Sequence, residues 1–600
     1  MRNLLSCLVI ACILISCTKQ KEKIPPLMSS ENSSGKLIIY QMMTRLFGNK
    51  NSTNKTFGTR DENGVGKFRD INGTALEAIK TLGVTHIWYT GIIEHDLLTD
   101  YAVAGIPRDH PEIVKGLAGS PYAIKDYYDV SPDLASDVPN RMKEFEELVS
   151  RTHDHGLKVL IDFVPNHVAR NYKSDAKPKD VADLGQNDNT TLAFSPTNNF
   201  YYIPGKAFVA PKSIMTKFSN AALVGEAATF VENPAKATGN NVFRPDPQVN
   251  DWYETVKLNY GVDYEHDRQH HFEPIPDTWT KMKDILMFWA GKHVDGFRCD
   301  MAEMVPVEFW HWAIPQVKTV YPEIIFIAEI YNPAQYHNYI EKGKFNYLYD
   351  KVKLYDTLRL LIAGQRSTLD IDAIQSSLTG INGNMLHFLE NHDEQRIASR
   401  FFAGDPWKGI PAMVISATID NGPAMIYFGQ EVGEPGAGNE GYQGEDGRTT
   451  IYDYWGVPTH QQWMSGGKFN GDSLNAEQKQ LRQVYSDILT LATKNEAIAG
   501  GKYHDLTAYN IKSGNFNDRV HAFVRYAGEE RLLIVTSFNS ADLNIKVQIP
   551  PEVVSAMGLD TGESYIARDL LFREAEVGFD AQFTFALRCK PYSSFIFKIK

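Results

Sequence analysis

Four short stretches of the sequence combine an apolar run of strand length with acidic, His or Asn side chains at its end. They are Asp162–His167, Gly296–Asp300, Phe326–Glu329 and Phe388–Asp393. A strand that is buried on both faces cannot hold a charge in its middle, so charged side chains gather where such a strand ends. In a (β/α)8 barrel these ends share one mouth, and chemistry takes place there. We therefore predict that Asp300, Glu329 and Asp393 meet at a barrel mouth.

Two of these acids have the surroundings that glycoside hydrolysis with retention requires. That reaction needs one charged and one protonated carboxyl group, roughly 5–5.5 Å apart. Arg298 lies two residues before Asp300 and points to the same side of a strand, where it is expected to lower the pKa of Asp300. Glu329 follows an apolar run, and partial burial is expected to raise its pKa, as a proton donor needs. A single acid is more often a solvated charge or an ion-pair partner, but the shared placement at strand ends favours catalysis.

The segments around these stretches alternate between strand and helix patterns, which is typical of parallel strands joined by crossover helices. Helical spacing predicts a helix from Thr74, its N-cap, to Leu82, and Gly83 ends it. Other helices are predicted at residues 141–155, 277–292 and 476–494. Eight strands are predicted, at residues 37–42, 84–89, 158–164, 296–300, 324–330, 345–349, 385–389 and 424–428. The predicted fold class is therefore α/β, with a (β/α)8 TIM barrel over residues 37–168 and 262–499.

Two regions do not follow this alternation. Residues 169–261 are rich in polar residues, Pro, Gly and Asn, which predicts an inserted subdomain that overhangs the mouth. Its aromatic stretches 198–202 and 252–253 either line a substrate cleft or pack the core of the insert. After Gly500 the helical patterns stop and β-branched residues dominate, so residues 500–600 are predicted to form a C-terminal all-β sandwich domain.

The N-terminal residues predict export. Residues 4–15 form an apolar run that is too short to span a bilayer, and Leu14-Ile15-Ser16-Cys17 is similar to a bacterial lipobox. We predict a signal peptide at residues 1–16, lipidation of Cys17 and a linker at residues 17–36, giving a periplasmic or cell-surface lipoprotein held at a membrane. The alternative is an ordinary signal peptide with a chance Cys. A net charge of −12 without a long basic block argues against nucleic acid as a partner.

Together these stretches and their order resemble the α-amylase superfamily, the glycoside hydrolase family 13 clan of retaining α-glucoside enzymes. The resemblance extends from about Ile38 to Lys600 and includes the insert after the third strand and the terminal β domain. It implies that Asp300 is the nucleophile, that Glu329 is the general acid and base, and that Asp393 stabilises the distorted sugar. It also implies sugar-binding or supporting roles for Tyr122, Asp162, His167, Arg298 and His392.

The sequence departs from the family pattern next to the active site. Asp300 is followed by Met301 and Ala302, without the Lys-His pair that many endo-acting amylases carry shortly after the nucleophile. Ser120-Pro121 stands where His-Gly commonly precedes the tyrosine that corresponds to Tyr122. These differences put endo-hydrolysis of starch in question.

The calcium sites of the family are incomplete in this sequence. Asn166 lies where a family calcium ligand often lies, but residues 256–260 offer no Asp to complete that site. In the first loop, Lys67 takes a position that is acidic in calcium-binding members. Either its ammonium fills the place of an ion between Asp61 and Asn63, or it is an ordinary surface lysine. Asn166 is therefore the candidate metal ligand, and calcium is the cofactor to test.

The predicted function is hydrolysis of α-glucosidic bonds in starch-derived glucans or maltooligosaccharides. One alternative is a transglycosylase with the same covalent intermediate, such as an α-glucanotransferase or a glucoside isomerase. Exclusion of water from the mouth decides between hydrolysis and transfer. Another alternative is a non-catalytic sugar-binding homologue, but such proteins typically lose an acid, and this sequence keeps Asp300, Glu329 and Asp393.

Overall fold

A computed structural model of the protein describes residues 35–212 and 229–600. These residues include a closed barrel of eight parallel strands, with the order β1-β8-β7-β6-β5-β4-β3-β2 around its circumference. The strands are β1 (Ile38–Met43), β2 (His86–Thr90), β3 (Lys158–Phe163), β4 (Gly296–Cys299), β5 (Ile325–Ala328), β6 (Tyr347–Tyr349), β7 (Met385–Phe388) and β8 (Ala424–Tyr427). The predicted barrel and its eight strands are confirmed. The predicted signal peptide, Cys17 and most of the predicted linker lie outside the described residues.

The barrel strands are buried on both faces, which explains their nearly continuous apolar composition. One set of alternating side chains fills the barrel interior, among them Ile39, Trp88, Leu160 and Met425. The other set packs against the surrounding helices. Because side chains alternate along a strand, Asp162 points to the same side as Leu160, and the ladder pairs Asp162 directly with Arg298 on β4.

The helices surround the barrel. They lie at Thr44–Phe47, Arg60–Asn63, Gly73–Lys80, Arg141–Asp154, Asp277–Gly291, Val307–Val320, Tyr336–Glu341, Asp356–Ile362, Leu369–Ser377, Ile410–Thr418, Pro458–Met464, Ala476–Lys494 and Glu496–Ala499. A π-helical turn, Lys351–Tyr355, precedes Asp356. The predicted N-cap at Thr74 was wrong: Asn72, two residues earlier, is the N-cap, and its side chain accepts a hydrogen bond from the Ala75 amide at 3.0 Å. No helix within the described residues has both the length and the apolar composition needed to cross a bilayer.

Short antiparallel pairs accompany the barrel. A hairpin formed by Ile93–His95 and Ile124–Val130 follows β2 and was not predicted. The insert after β3 contains the pairs His167–Ala169 with Thr255–Lys257 and Tyr202–Ile203 with Ala235–Lys236, and Val262–Asp263 pairs with Gln269–His270 just after it. The insert therefore has its own small sheets and returns to the barrel beside the strand that it left.

The C-terminal region is built from two antiparallel sheets that share one hydrophobic core, as predicted for an all-β domain. Six strands form one sheet, at Lys502–Asp505, Val520–Ala527, Glu530–Ser537, Ser594–Ile599, Ile566–Asp569 and Glu576–Gly578, and Leu543–Gln548 pairs with Thr584–Cys589 in the other. The prediction that helices stop at Gly500 was wrong, because Thr507–Lys512 and Pro551–Ala556 are helical. The sheet is tied to the barrel by buried Arg525, which donates to the carbonyls of Ala497 at 3.0 Å, Ile419 at 2.9 Å and Ile498 at 2.8 Å.

Candidate active site

A cavity of about 330 Å³ opens at the carboxyl ends of the barrel strands. The predicted residues that line it are Tyr122, His167, Asp300, Glu329, His392 and Asp393. Asp162 and Arg298 do not line the cavity but lie directly beneath it. Arg298 contacts both Asp162 and Asp300. The structure therefore brings all eight predicted catalytic and sugar-contacting residues together, from five of the barrel strands and their loops.

Arg298 is the centre of this arrangement. Its Nη1 donates to Asp300 Oδ1 at 2.7 Å and to Asp162 Oδ1 at 3.2 Å, and its Nη2 forms an ion pair with Glu329 Oε2 at 2.8 Å. Its Nε donates to the hydroxyl of Tyr349 at 3.2 Å. Only 1% of the Arg298 side chain is exposed, so this charge is shielded from water and acts strongly on its neighbours. One guanidinium thus keeps the two predicted reacting acids next to each other.

The protonation of Asp300 differs from the prediction. Burial raises the pKa of Asp300 well above its usual range, and the charges of Glu329 and Asp162 act in the same direction. Arg298 lowers this pKa, as expected, but one cation does not offset burial together with two neighbouring carboxylates. Burial therefore favours the protonated form of Asp300, and the contact with Arg298 opposes it. Retaining hydrolysis needs the nucleophile charged and the other acid protonated.

Glu329 is fixed by partners that were not predicted. Its Oε2 accepts a hydrogen bond from the Met301 amide at 2.8 Å, and its Oε1 accepts one from the Tyr331 hydroxyl at 2.9 Å. Met301 has φ +43°, a left-handed conformation that is uncommon for a side chain of this size. This turn directs the amide that follows Asp300 toward Glu329. Strained backbone of this kind is often found where a catalytic group must be oriented.

Asp393 and His392 occupy the side of the cavity that β7 provides. Although burial opposes it, the pKa of Asp393 is lowered, because His392 Nε2 lies 3.1 Å away and Tyr442 donates to its Oδ1 at 3.3 Å. The Gln41 amide donates to His392 Nδ1 at 2.8 Å, and His392 Nε2 lies 2.6 Å from the Tyr122 hydroxyl. The rings of Tyr122 and His392 are stacked with centroids 5.1 Å apart. Asp393 therefore stays charged, and Tyr122 has a fixed orientation.

His167 contributes a neutral imidazole. It is 3% exposed, and burial, assisted by the charges of Lys257 and Lys115, lowers its pKa to about 3. Its ring lies 5.3 Å from that of Trp252, which also lines the cavity. The two alternatives for the insert aromatics are therefore both realised: Trp252 lines the cavity, whereas Phe200, Tyr201, Tyr202 and Tyr253 are buried in the protein.

Several cavity residues were missed because loops bring them in from distant parts of the chain. Lys115, Glu254 and Tyr452 also line the cavity, and Arg448 donates to the carbonyl of Asp393 at 2.7 Å. The one sequence signal that these residues share is their position after predicted barrel strands. That signal is shared by many loop residues that take no part in the site.

The structure contradicts a metal-ligand role for Asn166. Its Oδ1 accepts a hydrogen bond from Lys257 Nζ at 2.6 Å, and its Nδ2 donates to the carbonyl of Gly239 at 2.9 Å. Lys257 is 2% exposed, and burial lowers the pKa of its ammonium to about 7. Within the described residues, no group of acids, His or Cys suited to a metal surrounds Asn166. Since calcium needs several oxygen ligands, the residues around Asn166 do not fit it.

The hypothesis that Lys67 lies between Asp61 and Asn63 was also wrong. Lys67 Nζ donates to the carbonyl of Asp133 at 2.5 Å. Asp61 instead pairs with Arg60 at 3.1 Å, and Asn63 donates to the carbonyls of Lys55 and Tyr454 at 2.8 Å. The first loop is thus held by hydrogen bonds between its own residues and its neighbours.

The chain is similar to proteins of one known family. The family described as "Alpha amylase, catalytic domain" matches residues 51–453. Alpha-amylase 3 of Dictyoglomus thermophilum is 23% identical over 81% of this chain and 83% of its own length. The oligo-1,6-glucosidase of Bacillus cereus is 22% identical over 94% of this chain and 98% of its own length. The structure of the maltogenic α-amylase AmyB from Thermotoga neapolitana shares the fold, with a TM-score of 0.58 at 18% identity, and the match covers 94% of this chain and 99% of AmyB.

Proposed function

The chain belongs to the α-amylase family of glycoside hydrolases, and we propose that it cleaves α-glucosidic bonds of maltooligosaccharides or starch-derived glucans with retention of configuration. One observation carries this proposal: a single buried guanidinium, that of Arg298, contacts both Asp300 and Glu329 at the base of a sugar-sized cavity. A shared guanidinium favours the close spacing of retaining enzymes, because inverting enzymes leave room for a water molecule between the two carboxyl groups.

In the proposed first step, Asp300 attacks the anomeric carbon of the bound glucosyl unit. The bond from that carbon to the leaving oxygen breaks as Glu329 transfers its proton to this oxygen. The products are a glucosyl ester on Asp300 and a shortened sugar with a new hydroxyl group. In the second step, Glu329 removes a proton from water, the water oxygen bonds to the anomeric carbon, and the carboxylate of Asp300 leaves.

The surrounding residues support the charge that develops on the sugar. The Asp393 carboxylate remains ionised and is placed to accept hydrogen bonds from sugar hydroxyls and to stabilise the cationic transition state. His167 and His392 line the cavity that would hold the same ring. Tyr122, held by His392, offers a flat surface for the ring. The Met301 amide and the Tyr331 hydroxyl hold Glu329 toward the leaving oxygen.

The ion pair between Lys115 and Glu254 supports action at chain ends. Glu329 protonates the leaving oxygen, so the departing sugar lies on the β5 side of the cavity. The loops after β2 and β8, which carry Lys115 and Tyr452, lie across the barrel from β5. Lys115 Nζ is 2.7 Å from Glu254, both side chains are less than a tenth exposed, and the ammonium lies 5.7 Å from the centre of the Tyr452 ring. This bridge closes the side toward which non-reducing sugar units would extend.

A trapping experiment tests the covalent step. Incubation with 5-fluoro-α-D-glucosyl fluoride, which forms the glycosyl ester faster than water removes it, should add one fluoroglucosyl unit to the peptide that contains Asp300. Mass spectrometry of a peptic digest measures this addition, and the Asp180→Asn variant, changed at an exposed acid of the insert, should be labelled equally. Label on a different acid, or no label with turnover, would overturn the assignment of Asp300.

Product analysis on maltoheptaose tests the reaction type and the chain end. We expect only shorter products, with glucose or maltose present from the first time points. The double variant Lys115→Ala/Glu254→Ala should produce internal cleavage products early, because the ion pair that closes this side of the cavity is removed. Products longer than maltoheptaose would instead support the glucanotransferase alternative, and an unchanged early product pattern in the double variant would contradict the chain-end proposal.

We also propose that the enzyme is exported and lipid-anchored through Cys17, on the basis of the apolar segment and lipobox-like sequence before it. Metabolic labelling with a fatty-acid analogue in an expressing bacterium should label the protein, and Cys17→Ala should abolish the label. An unlabelled but secreted protein would support the ordinary signal peptide instead.

A further inference from the structure

Three carboxylates form a second acidic group outside the active-site cavity. They belong to Glu94, Asp129 and Asp175, and one oxygen from each lies within 4.8 Å of the others. Glu94 and Asp129 are 2% and 4% exposed, whereas Asp175 is exposed at the surface. The group is therefore anchored in the protein and open to solvent on one side.

The fold directs these side chains toward one another. Glu94 lies on the hairpin that follows β2, directly opposite Asp126, and the ladder has register shifts on both sides of Glu94. Such bulges re-aim side chains and are frequent near functional sites, and here the extra residues of the longer strand include Asp129. The segment that carries Asp175 is held in place because Asp126 accepts hydrogen bonds from the amides of Asp175 at 2.9 Å and Ala176 at 3.0 Å.

Glu94 is the member whose environment indicates a ligand. Its Oε2 is buried and has no hydrogen-bond donor among the described residues. An ionised buried carboxylate without a partner is costly. Burial, together with the charges of Asp126, Asp129 and Asp175, raises the pKa of Glu94 to about 9, and Lys125 offsets this only in part.

The neighbouring cations form ion pairs with acids other than Glu94. Arg141 donates through Nε to Asp129 Oδ2 at 2.9 Å, which leaves Asp129 Oδ1 directed to the Val130 amide at 2.7 Å. Lys125 pairs with Asp109 at 2.8 Å. The carboxylate of Glu94 thus has acidic neighbours and lacks a cation of its own within the described residues.

We propose that Glu94, Asp129 and Asp175 bind a calcium ion, with water completing its coordination from the exposed side. All three donors are oxygens, which hard divalent cations prefer. Two oxygens on opposite sides of Ca²⁺ are about 4.6–5.2 Å apart, so a group that spans up to 4.8 Å fits this ion. An ion here would join the first residues of the insert to the hairpin after β2. This site is separate from Asn166, where the structure places Lys257.

Calcium titration of the EDTA-treated, full-length mature protein tests this proposal. Isothermal titration calorimetry with CaCl2 should show binding to one site, and calcium should raise the thermal unfolding midpoint.

Three variants locate the ion. Glu94→Gln keeps the shape of the protonated side chain, and Asp175→Asn changes an exposed residue, so both should fold, which circular dichroism checks. Each should weaken calcium binding more than about tenfold and abolish the rise in unfolding midpoint. Asp180→Asn, which removes an exposed acid of the same segment, should behave as the unaltered protein. Absence of calcium binding, or equal binding in Glu94→Gln and Asp175→Asn, would overturn the proposal whatever the catalytic activity.

Discussion

The two groups of three carboxylates at this end of the barrel contain the same kinds of side chain but differ in their cation. Asp162, Asp300 and Glu329 all contact one guanidinium, that of Arg298, within 3.2 Å. Glu94 has no such partner within the described residues, and Arg141 reaches only Asp129 of the second group. A group with a permanent internal cation can hold a fixed arrangement of charge and proton, as catalysis requires. A group without one is suited to an exchangeable ion.

A third buried group shows an intermediate case. His387 Nε2 lies 3.0 Å from Asp420 Oδ1, and its Nδ1 lies 3.1 Å from Asp350 Oδ2. Burial opposes the charge on the ring, but the two carboxylates raise the pKa of His387 to about 9. This group therefore has an internal cation that is lost at high pH. The three groups differ in whether the compensating charge is permanent, titratable or external.

Replacement of Asp300 by Asn should cause the largest loss of catalytic activity among the changes to the group around Arg298. It keeps the shape of the site and the contact with Arg298 but removes the nucleophile, so kcat on maltoheptaose should fall by at least about 10⁴-fold. Reducing-sugar release measures this loss, with Asp180→Asn as the control that should retain activity. A variant with more than about a tenth of the original kcat would show that the acid held by Arg298 is not the nucleophile.

Replacement of Glu329 by Gln should have a smaller effect that depends on the substrate. It removes the proton donor, which is expected to cost about 10²–10⁴-fold in kcat/KM on maltooligosaccharides. A p-nitrophenyl α-glucoside has a leaving group that needs little protonation, so its kcat/KM should fall much less. Equal losses on both substrates would show that Glu329 positions the substrate and does not supply the proton.

Removal of the permanent cation should destabilise the protein. Arg298→Met leaves three buried carboxylates without their partner, and the free energy of unfolding should fall by about 3–5 kcal/mol. Urea unfolding measures the change. Arg400→Met breaks an exposed ion pair with Glu445 and should cost less than about 1 kcal/mol. Similar losses in both variants would mean that Arg298 is not the compensating charge inferred here.

The charge on His387, the titratable cation between Asp350 and Asp420, predicts a pH dependence of stability. The pKa of His387 is raised from its unfolded value of about 6.5, so its contribution is complete below pH 6.5 and is lost as the pH rises toward 9, by about 3 kcal/mol at most. The free energy of unfolding measured between pH 6 and pH 9 should show this decline in the original protein and a flatter profile in His387→Asn. His504→Asn, at an exposed position, should keep the decline. Parallel profiles for all three proteins would contradict the role of His387.

The sequence was sufficient to predict the barrel and the residues at its strand ends. Charged side chains are excluded from the middle of buried strands and collect at the strand ends, so Asp300, Glu329 and Asp393 could be located from pattern alone. The Lys115–Glu254 ion pair could not be predicted from the sequence, because it depends on how the insert packs against a distant loop. The same holds for Glu94, whose neighbours result from the register shifts of a hairpin, and for Asn166, whose oxygen is bound by a lysine 91 residues away.

The balance of charges within the site was the hardest property to predict. Arg298 was correctly placed beside Asp300, yet the pKa of Asp300 is raised, because the sequence does not reveal how many acids share one cation or how deeply they are buried. The position of the Met301 amide was likewise hidden, since a left-handed residue at that point has no signature in the sequence.

Arg525 bears on how this protein can be divided. It belongs to the C-terminal sheet, yet its three hydrogen bonds end on carbonyls of the barrel region, at Ile419, Ala497 and Ile498. A chain cut before Gly500 would keep every side chain of the active-site cavity and would still leave these interior carbonyls without their donor. The change of sequence pattern near Gly500 is therefore not a boundary between independent domains. A barrel moved into another protein would need its β domain as well.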